Sequence, residues 1–166
     1  TINPTYNEVC YGFTGHAEVV RVVWDKNIID ISDLLKMFWE CHDPTQKNRQ
    51  GNDCGTQYRS AIFFNDKSQE EIIINSQKAY QKALEKDNFG AIQTEIKFLN
   101  NYFYAEEYHQ QYLASLGSRQ YCSASPTKIK LNDFENCNYK LKDEIWDNFN
   151  WEVDKCVLIS TNDPIT

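Results

Sequence analysis

The amino-acid sequence predicts an α/β fold, in the broad sense that includes α+β, with helices packed on a sheet. Stretches with the period-two alternation of strands occur in turn with stretches of helical hydrophobic spacing. The chain has 166 residues and a hydrophobic content of 41%, so one domain of this length can bury a sizeable core. These observations predict a single domain plus an extension.

Three stretches have the alternation expected of strands, and residues 1–16 predict a loop. The strands are predicted over 18–24, over 58–64 at the end of a polar loop, and over 91–98. The side chains predicted to share one face are Glu18, Val20, Val22 and Trp24 in the first, Tyr58, Ser60, Ile62 and Phe64 in the second, and Ile92, Thr94, Ile96 and Phe98 in the third.

Three further stretches predict helices, over 32–40, from 68 to near 88–90, and over 104–116. Ser32 is the candidate N-cap of the first helix. Ser68-Gln69-Glu70-Glu71 has the form of a capping box at the start of the second. In the third helix His109 lies off the apolar stripe, which indicates a solvated or hydrogen-bonding histidine rather than a metal ligand.

Composition and charge exclude several classes of function. A formal net charge of −7 argues against nucleic-acid binding, because phosphate contacts need clustered Lys and Arg. No apolar run has the length of a membrane span, and the first residues lack the features of a signal peptide, which predicts a cytoplasmic protein without a membrane partner. A monomer is expected. The six cysteines are expected to be thiols, since nothing signals export.

Two acidic residues lie in settings that indicate a functional site. The polar loop over 42–57 places Asp53 near the start of a predicted strand, beside Tyr58. Glu18 is predicted on an apolar strand face, where burial would raise its pKa and let it donate a proton to a substrate oxygen. Plainer interpretations stay open: the loop only makes turns, Glu18 lies hydrated at a frayed strand end, and Tyr6 is a packing contact with a hydrated hydroxyl.

Together these stretches resemble the A-type peptide methionine sulfoxide reductases. The similarity covers residues 3–122 and rests on several long words: Asn3-Pro4-Thr5-Tyr6, Glu8-Val9-Cys10, Gly15 to Val20, Phe38-Trp39, His42-Asp43-Pro44, Asn48 to Asp53, Gly55 to Ile62, Phe103 to Leu113 and Tyr121-Cys122. The resemblance implies a ferredoxin-like two-layer sandwich, with the reductase-like domain over 1–122. Residues 123–166 form a C-terminal extension beyond the resemblance, and its apolar side chains predict that it packs on the domain.

The resemblance also implies an activity, the reduction of methionine-S-sulfoxide, free or in proteins, as repair after oxidation. A cysteine thiolate attacks the sulfoxide sulfur and is left as a sulfenic acid. The residues implied are Glu18 as proton donor, Tyr6 and Tyr58 as hydrogen-bond donors to the sulfoxide oxygen, Asp53 as support of the pocket, Cys122 as resolving cysteine and Cys137 as a candidate second recycling cysteine. Thioredoxin or another dithiol is the expected reductant, and no metal or other cofactor is expected.

One part of the family pattern is absent from these 166 residues. The family's nucleophile is the cysteine of a Gly-Cys-Phe-Trp-Gly motif before Asn3, and the chain contains no such motif. The first strand and helix are therefore expected to be missing, which leaves organelle targeting open. The hypotheses are a reductase that has lost its N-terminus, a catalytically dead relative that binds oxidised methionine or a protein partner, and a metal site of Cys41, His42 and Cys54, against which their spacing argues.

Overall fold

A computed structural model describes residues 1–99, 101–110 and 124–148. The elements are α1 (Tyr6–Cys10), α2 (Ile31–Glu40), β1 (Arg49–Gln50), β2 (Asp53–Cys54), β3 (Ala61–Phe64), α3 (Glu70–Lys86), β4 (Glu95–Phe98) and α4 (Asp143–Asn148), with 3₁₀ turns at Thr56–Tyr58, Lys67–Gln69 and Glu107–His109. The mixture of helix and strand is that of an α/β fold, as predicted. Within these ranges none of the helices has the length and apolar character needed to cross a bilayer.

A parallel pair of strands, β3 and β4, forms the centre of the fold. Ala61 lies opposite Glu95 and Phe64 opposite Phe98, and α3 makes the crossover that parallel strands require. The buried core consists of Leu35, Trp39, Phe64, Ile73, Tyr80, Leu84 and Leu131. The predicted strand over 91–98 is thus confirmed for its second half, and the strand predicted from residue 58 begins only at Ala61.

Both long helices begin at caps other than those predicted. The N-cap of α2 is Asp30, whose carboxylate accepts a hydrogen bond from the N–H of Ser32 at 2.9 Å. Before α3, Asp66 accepts hydrogen bonds from the N–H and O–H of Ser68 and caps a 3₁₀ turn, so α3 begins later, at Glu70. A carboxylate thus takes the place of the predicted serine cap at α2, whereas the N-cap of α3 is Gln69, whose side chain makes no capping hydrogen bond.

Residues 18–24 belong to no helix or strand, which corrects the prediction. A strand needs a neighbouring backbone to complete its hydrogen bonds. The Glu18 N–H donates to the Gln57 carbonyl at 2.8 Å, but no ladder of bonds continues from it in the described ranges. Val20 and Val22, on the predicted apolar face, are 87% and 51% exposed, so that face is not buried at these positions.

The segment over 104–110 also differs from its prediction, a helix. It forms one 3₁₀ turn, after which Gln110 returns to an extended backbone with ψ of 134°. Contacts with α1 explain the difference, because the Glu106 carboxylate accepts the N–H of Tyr6 at 2.9 Å and the His109 ring lies 4.5 Å from the Tyr6 ring. Residues 111–116, the rest of the predicted helix, lie outside the described residues.

Residues 127–141 lie along α2 and α3 and are held by side chains of both helices. Leu131 is 1% exposed, and its N–H donates to the buried carboxylate of Glu40 at 2.9 Å. Glu40 also pairs with Lys36 at 2.8 Å. Farther along, the N–H of Lys140 donates to the buried Asp33. These donors offset the desolvation cost of the two buried carboxylates.

A buried chain of hydrogen bonds joins the end of α2 to both strands. The His42 ring contacts the Phe38 carbonyl through Nδ1 at 2.7 Å and the Ser60 Oγ through Nε2 at 2.8 Å. Ser60 Oγ in turn lies 2.7 Å from Thr94 Oγ1. A carbonyl only accepts, so Nδ1 carries the ring proton and Nε2 accepts from the Ser60 hydroxyl. Since Ser60 precedes β3 and Thr94 precedes β4, these hydrogen bonds fix the position of both strands relative to α2.

Burial lowers the pKa of His42 from 6.5 to about 4, which predicts acid-sensitive stability. The folded protein binds this proton more weakly than the unfolded chain does. The neutral ring therefore contributes its full stability above pH 6.5, and the contribution is lost as the pH falls to about 4. At ~1.4 kcal/mol per pKa unit the loss is about 3 kcal/mol.

Urea unfolding of the wild type and of His42→Gln across this pH range measures the effect. The stability advantage of the wild type is expected to shrink by about 3 kcal/mol as the pH falls, because the glutamine of the variant does not titrate. His16→Gln, which removes a histidine outside the chain of hydrogen bonds, is expected to keep the wild-type pH dependence. Parallel pH curves for the wild type and His42→Gln would contradict the prediction.

Candidate active site

Four side chains singled out in the sequence lie together although they come from separate segments. Tyr6 is on α1, Glu18 is in the segment over 18–24, Asp53 is on β2, and Tyr58 is in the 3₁₀ turn before β3. They are close enough to shift one another's titration: the charges of Glu18 and Asp53 act on Tyr58, and Asp53 acts on Glu18. This group is called the site below.

The loop before β3 is a small hairpin rather than an open connection. Strands β1 and β2 pair antiparallel, with Gln50 opposite Asp53. Gly51 makes the turn with φ of 57°, a left-handed conformation that suits glycine. The Gly51 N–H donates to the Gln46 side chain at 2.9 Å. Asp53 is therefore held on a folded support, half-buried at the site.

Gly55 allows the chain to bring Tyr58 to the site. Its φ of 146° is one that L side chains rarely adopt, and a Cβ there would lie 2.8 Å from Nε2 of Gln57. Only glycine thus fits where the hairpin enters the turn. Tyr58 lies in this 3₁₀ turn and not, as the sequence predicted, on the strand that follows.

Glu18 has a raised pKa, in the predicted direction. The residue as a whole is exposed, but partial burial of its carboxyl is the largest cause of the rise; His109 opposes it and Asp53 adds to it. The cause is therefore the surrounding site and not an apolar strand face, since Val20 and Val22 are 87% and 51% exposed.

Tyr6 and Tyr58 keep their hydroxyl protons well above neutral pH. A hydrogen bond with the Cys10 side chain is the largest cause that raises the pKa of Tyr6 to about 12. The charge of the Cys10 thiolate form, burial, and the nearby Tyr58 and Glu18 follow. Burial, followed by the charge of Glu18, raises the pKa of Tyr58. Both hydroxyls are hydrogen-bond donors at neutral pH.

Cys10 is a neighbour of the site that sequence analysis placed in a loop. Residues Tyr6–Cys10 form α1, in which a spacing of four puts Tyr6 and Cys10 on one face. Thr5 caps this helix and forms a complete capping box with Glu8. The Thr-x-x-Glu spacing is a sequence signature of a helix start, so the signal was present.

His109 is a second neighbour that sequence analysis did not assign to the site. Its ring contacts the rings of Tyr6 and Tyr108, with centroids 4.5 and 4.4 Å apart. Nε2 is buried and has no hydrogen-bond partner among the described residues. The predicted solvated or hydrogen-bonding histidine is therefore a ring packed on aromatic side chains. The sequence carried no local signal for this contact, since Tyr6 is about a hundred residues away.

The cysteines whose placement is described, Cys10, Cys41, Cys54 and Cys137, are all free. Burial raises the pKa of Cys41 to about 11, which keeps it a thiol. Cys54 is exposed next to Asp53, and the half-buried Cys137 Sγ accepts the N–H of Phe134 at 3.3 Å. Cys122 lies outside the described residues. In the ranges described, no three His, Cys, Asp or Glu side chains are grouped to hold a metal ion.

Comparison with known proteins identifies one family. The family model described as peptide methionine sulfoxide reductase matches residues 1–142. Peptide methionine sulfoxide reductase MsrA of Vibrio vulnificus is 54% identical over 129 residues, which make up 78% of this chain and 61% of that protein. The mitochondrial peptide methionine sulfoxide reductase of Rattus norvegicus is 53% identical over 78% of this chain and 55% of its own length. The chain thus spans less than two thirds of either relative.

Solved structures agree with this assignment. Mxr1 from Saccharomyces cerevisiae in reduced form has a TM-score of 0.63 and 32% identity, over 78% of this chain and 67% of that chain. Methionine sulfoxide reductase A of Corynebacterium diphtheriae has a TM-score of 0.61 and 36% identity, over 75% and 66%. Since the family model matches most of its length, this chain belongs to the peptide methionine sulfoxide reductase A family.

Proposed function

We propose that this chain supplies the substrate-binding and proton-donating side chains of a methionine sulfoxide reductase. The observation that carries the proposal is the grouping of Glu18, a carboxyl of raised pKa, with two protonated phenols, Tyr6 and Tyr58. A sulfoxide oxygen is a strong hydrogen-bond acceptor and must take up a proton as its bond to the methionine sulfur breaks. O–H donors gathered at one place suit that oxygen.

In the proposed reaction a cysteine thiolate attacks the sulfoxide sulfur and Glu18 gives its proton to the oxygen. The oxygen passes to the cysteine sulfur, so that the products are a cysteine sulfenic acid and methionine. The cysteine sulfur loses two electrons and the methionine sulfur gains them. Tyr6 and Tyr58 stabilise negative charge on the oxygen, and the charge of Asp53 favours the protonated form of Glu18.

Recycling needs a second thiol, which the family resemblance assigns to Cys122. Its attack on the sulfenic acid releases water and forms a disulfide, and thioredoxin or another dithiol reduces that disulfide. The substrate proposed is the S epimer, free or in oxidised proteins, so that the activity is protein repair. The α/β layer is proposed to be part of a ferredoxin-like sandwich. Membership of the family supports these points.

The missing nucleophile motif favours a second function for the 166 residues taken alone. With proton donors but no nucleophile, the site would bind methionine sulfoxide without reducing it. Cys10 and Cys54 are the thiols nearest the site, but a reactive thiolate needs an electropositive setting, which the acidic Glu18 and Asp53 do not supply.

The two functions are separated by adding the nucleophile. The 166-residue chain is expected to give no reduction of N-acetyl-methionine sulfoxide with dithiothreitol. A fusion that places a segment with the family's Gly-Cys-Phe-Trp-Gly motif before Thr1 is expected to reduce the S epimer and not the R epimer, as measured by chromatography of the products. The same fusion with the motif cysteine changed to serine is the control.

Two outcomes would overturn this account. A fusion that carries the motif cysteine but does not reduce the S epimer would contradict the proposed activity. Turnover by the unfused chain that disappears in Cys10→Ser or Cys54→Ser would assign the nucleophile to a thiol within these residues.

In the active fusion, Glu18→Gln is expected to slow sulfenic acid formation by roughly 10²–10⁴-fold, as for other lost general acids. Glu18→Asp keeps the carboxyl on a shorter side chain, and its rate of sulfenic acid formation is expected to lie between those of the wild type and Glu18→Gln. Since the protonated form donates, the wild-type rate should decline as the pH rises through the raised pKa of Glu18, and Glu18→Gln should lack this decline.

Single-turnover rates across a range of pH test this expectation, with substrate affinity measured separately. Glu85→Gln, at an exposed position on α3, removes a carboxylate far from the site and is expected to have no effect. A near-normal rate for Glu18→Gln would mean that Tyr6 and Tyr58 suffice and that Glu18 is structural.

A further inference from the structure

We infer that Arg59 is a positioning residue for Glu18: its guanidinium fixes the backbone just before Glu18 against the turn that carries Tyr58. This inference rests on the proton-donor role proposed for Glu18 and deepens it. Arg59 acts through Glu18 rather than on the substrate.

The guanidinium connects three separate parts of the fold. Nη1 donates to the carbonyls of His16 at 3.1 Å and Thr56 at 2.7 Å, and Nη2 donates to the carbonyl of Gly15 at 3.2 Å. Nε donates to the Glu95 carboxylate on β4 at 2.8 Å. The backbone at Gly15 and His16, the 3₁₀ turn and β4 are thus tied to one rigid, planar group.

The segment that carries Glu18 depends on this connection. It has no strand partner in the described part of the chain, and Val20, just beyond Glu18, is 87% exposed. The N–H of Glu18 donates to the Gln57 carbonyl at 2.8 Å, and the His16 ring meets Phe103 edge-on at 5.6 Å. Arg59 adds two hydrogen bonds to successive carbonyls within three residues of the Glu18 carboxyl.

Arginine is the side chain that this geometry requires. The carbonyls and the carboxylate approach the guanidinium on different edges, and its fixed fork of N–H donors serves all of them. The side chain is 19% exposed, so the bonds are partly shielded from water. Lysine would keep the charge but present a single ammonium, which cannot reproduce the fork.

Loss of positioning and loss of charge shift the pKa of Glu18 in opposite directions. The groups that face Glu18 are Asp53, His109, Tyr6 and Tyr58. If the segment that carries Glu18 moves away from the site, the Glu18 carboxyl becomes more hydrated and lies farther from Asp53. Its pKa then falls towards the ordinary value of 4.5. Removal of a positive charge without movement would instead disfavour the carboxylate and raise the pKa.

Carboxyl-detected NMR titration of the 166-residue chain tests the inference without any need for catalysis. In both Arg59→Lys and Arg59→Gln the pKa of Glu18 is expected to fall, and exchange of its amide proton is expected to speed up by about 10-fold or more, the change for a lost bond of ~1.4 kcal/mol. Amide exchange in β3 and β4 serves as the internal control, because it rises only if the whole fold is weakened.

Two matched variants separate the contacts. Lys97→Gln removes one exposed positive charge from β4, and Glu95→Gln removes the ion pair but leaves the carbonyls of Gly15 and His16. Both are expected to keep the wild-type pKa of Glu18. An unchanged pKa in Arg59→Lys, or a raised one in Arg59→Gln, would overturn the inference. If Arg59→Gln does not fold, the charge-preserving Arg59→Lys decides alone.

Kinetics of the active fusion give a separate readout. Arg59→Lys is expected to lower kcat by about 10²-fold, as for a small misplacement of a catalytic group, with KM changed much less and the alkaline decline of the rate moved to lower pH. A normal rate for Glu18→Gln would end the proton-donor proposal, while the NMR titration would still decide whether Arg59 positions Glu18.

Discussion

The buried hydrogen-bond chain from Phe38 through His42 and Ser60 to Thr94 is the constraint on which the site depends. His42 and Ser60 are 8% and 7% exposed, and a buried polar group without a partner costs about 1–3 kcal/mol. These hydrogen bonds therefore fix where β3 starts relative to α2. Tyr58 and Arg59 directly precede Ser60, so the core sets their backbone before any contact of their own does.

The rest of the site is attached to this fixed turn through contacts near the surface. Glu18 is tied to it by Arg59 and by the hydrogen bond to Gln57, whereas Tyr6 is held from the other side by Glu106. Contacts of this kind are individually weak because water competes for them. The site thus combines a turn whose backbone is set by the core with segments that are held by contacts near the surface.

Sequence reasoning succeeded where a pattern and its physical cause are local, as in the alternation of β4 and the helical period of α3. The strand predicted over 18–24 failed, because alternation does not reveal whether a neighbouring backbone is present. The helix predicted over 104–110 failed because contacts with Tyr6, distant in sequence, override its helical spacing. For the site, the resemblance supplied candidates that periodicity did not. Nothing local marks Tyr6 or Tyr58 as partners of Glu18, and their proximity appears only once the segments pack.

The proton on Glu18 is governed by the site as a whole. Partial burial and the charge of Asp53 favour the protonated carboxyl, whereas a proton on His109 would favour the carboxylate. The proton on Glu18 therefore reflects a balance between burial and Asp53 on one side and the charge of His109 on the other. The His109 ring packs on the Tyr6 ring, with the two centroids 4.5 Å apart. This aromatic contact thus joins one of the site's phenols to the ring whose charge opposes the rise in the Glu18 pKa.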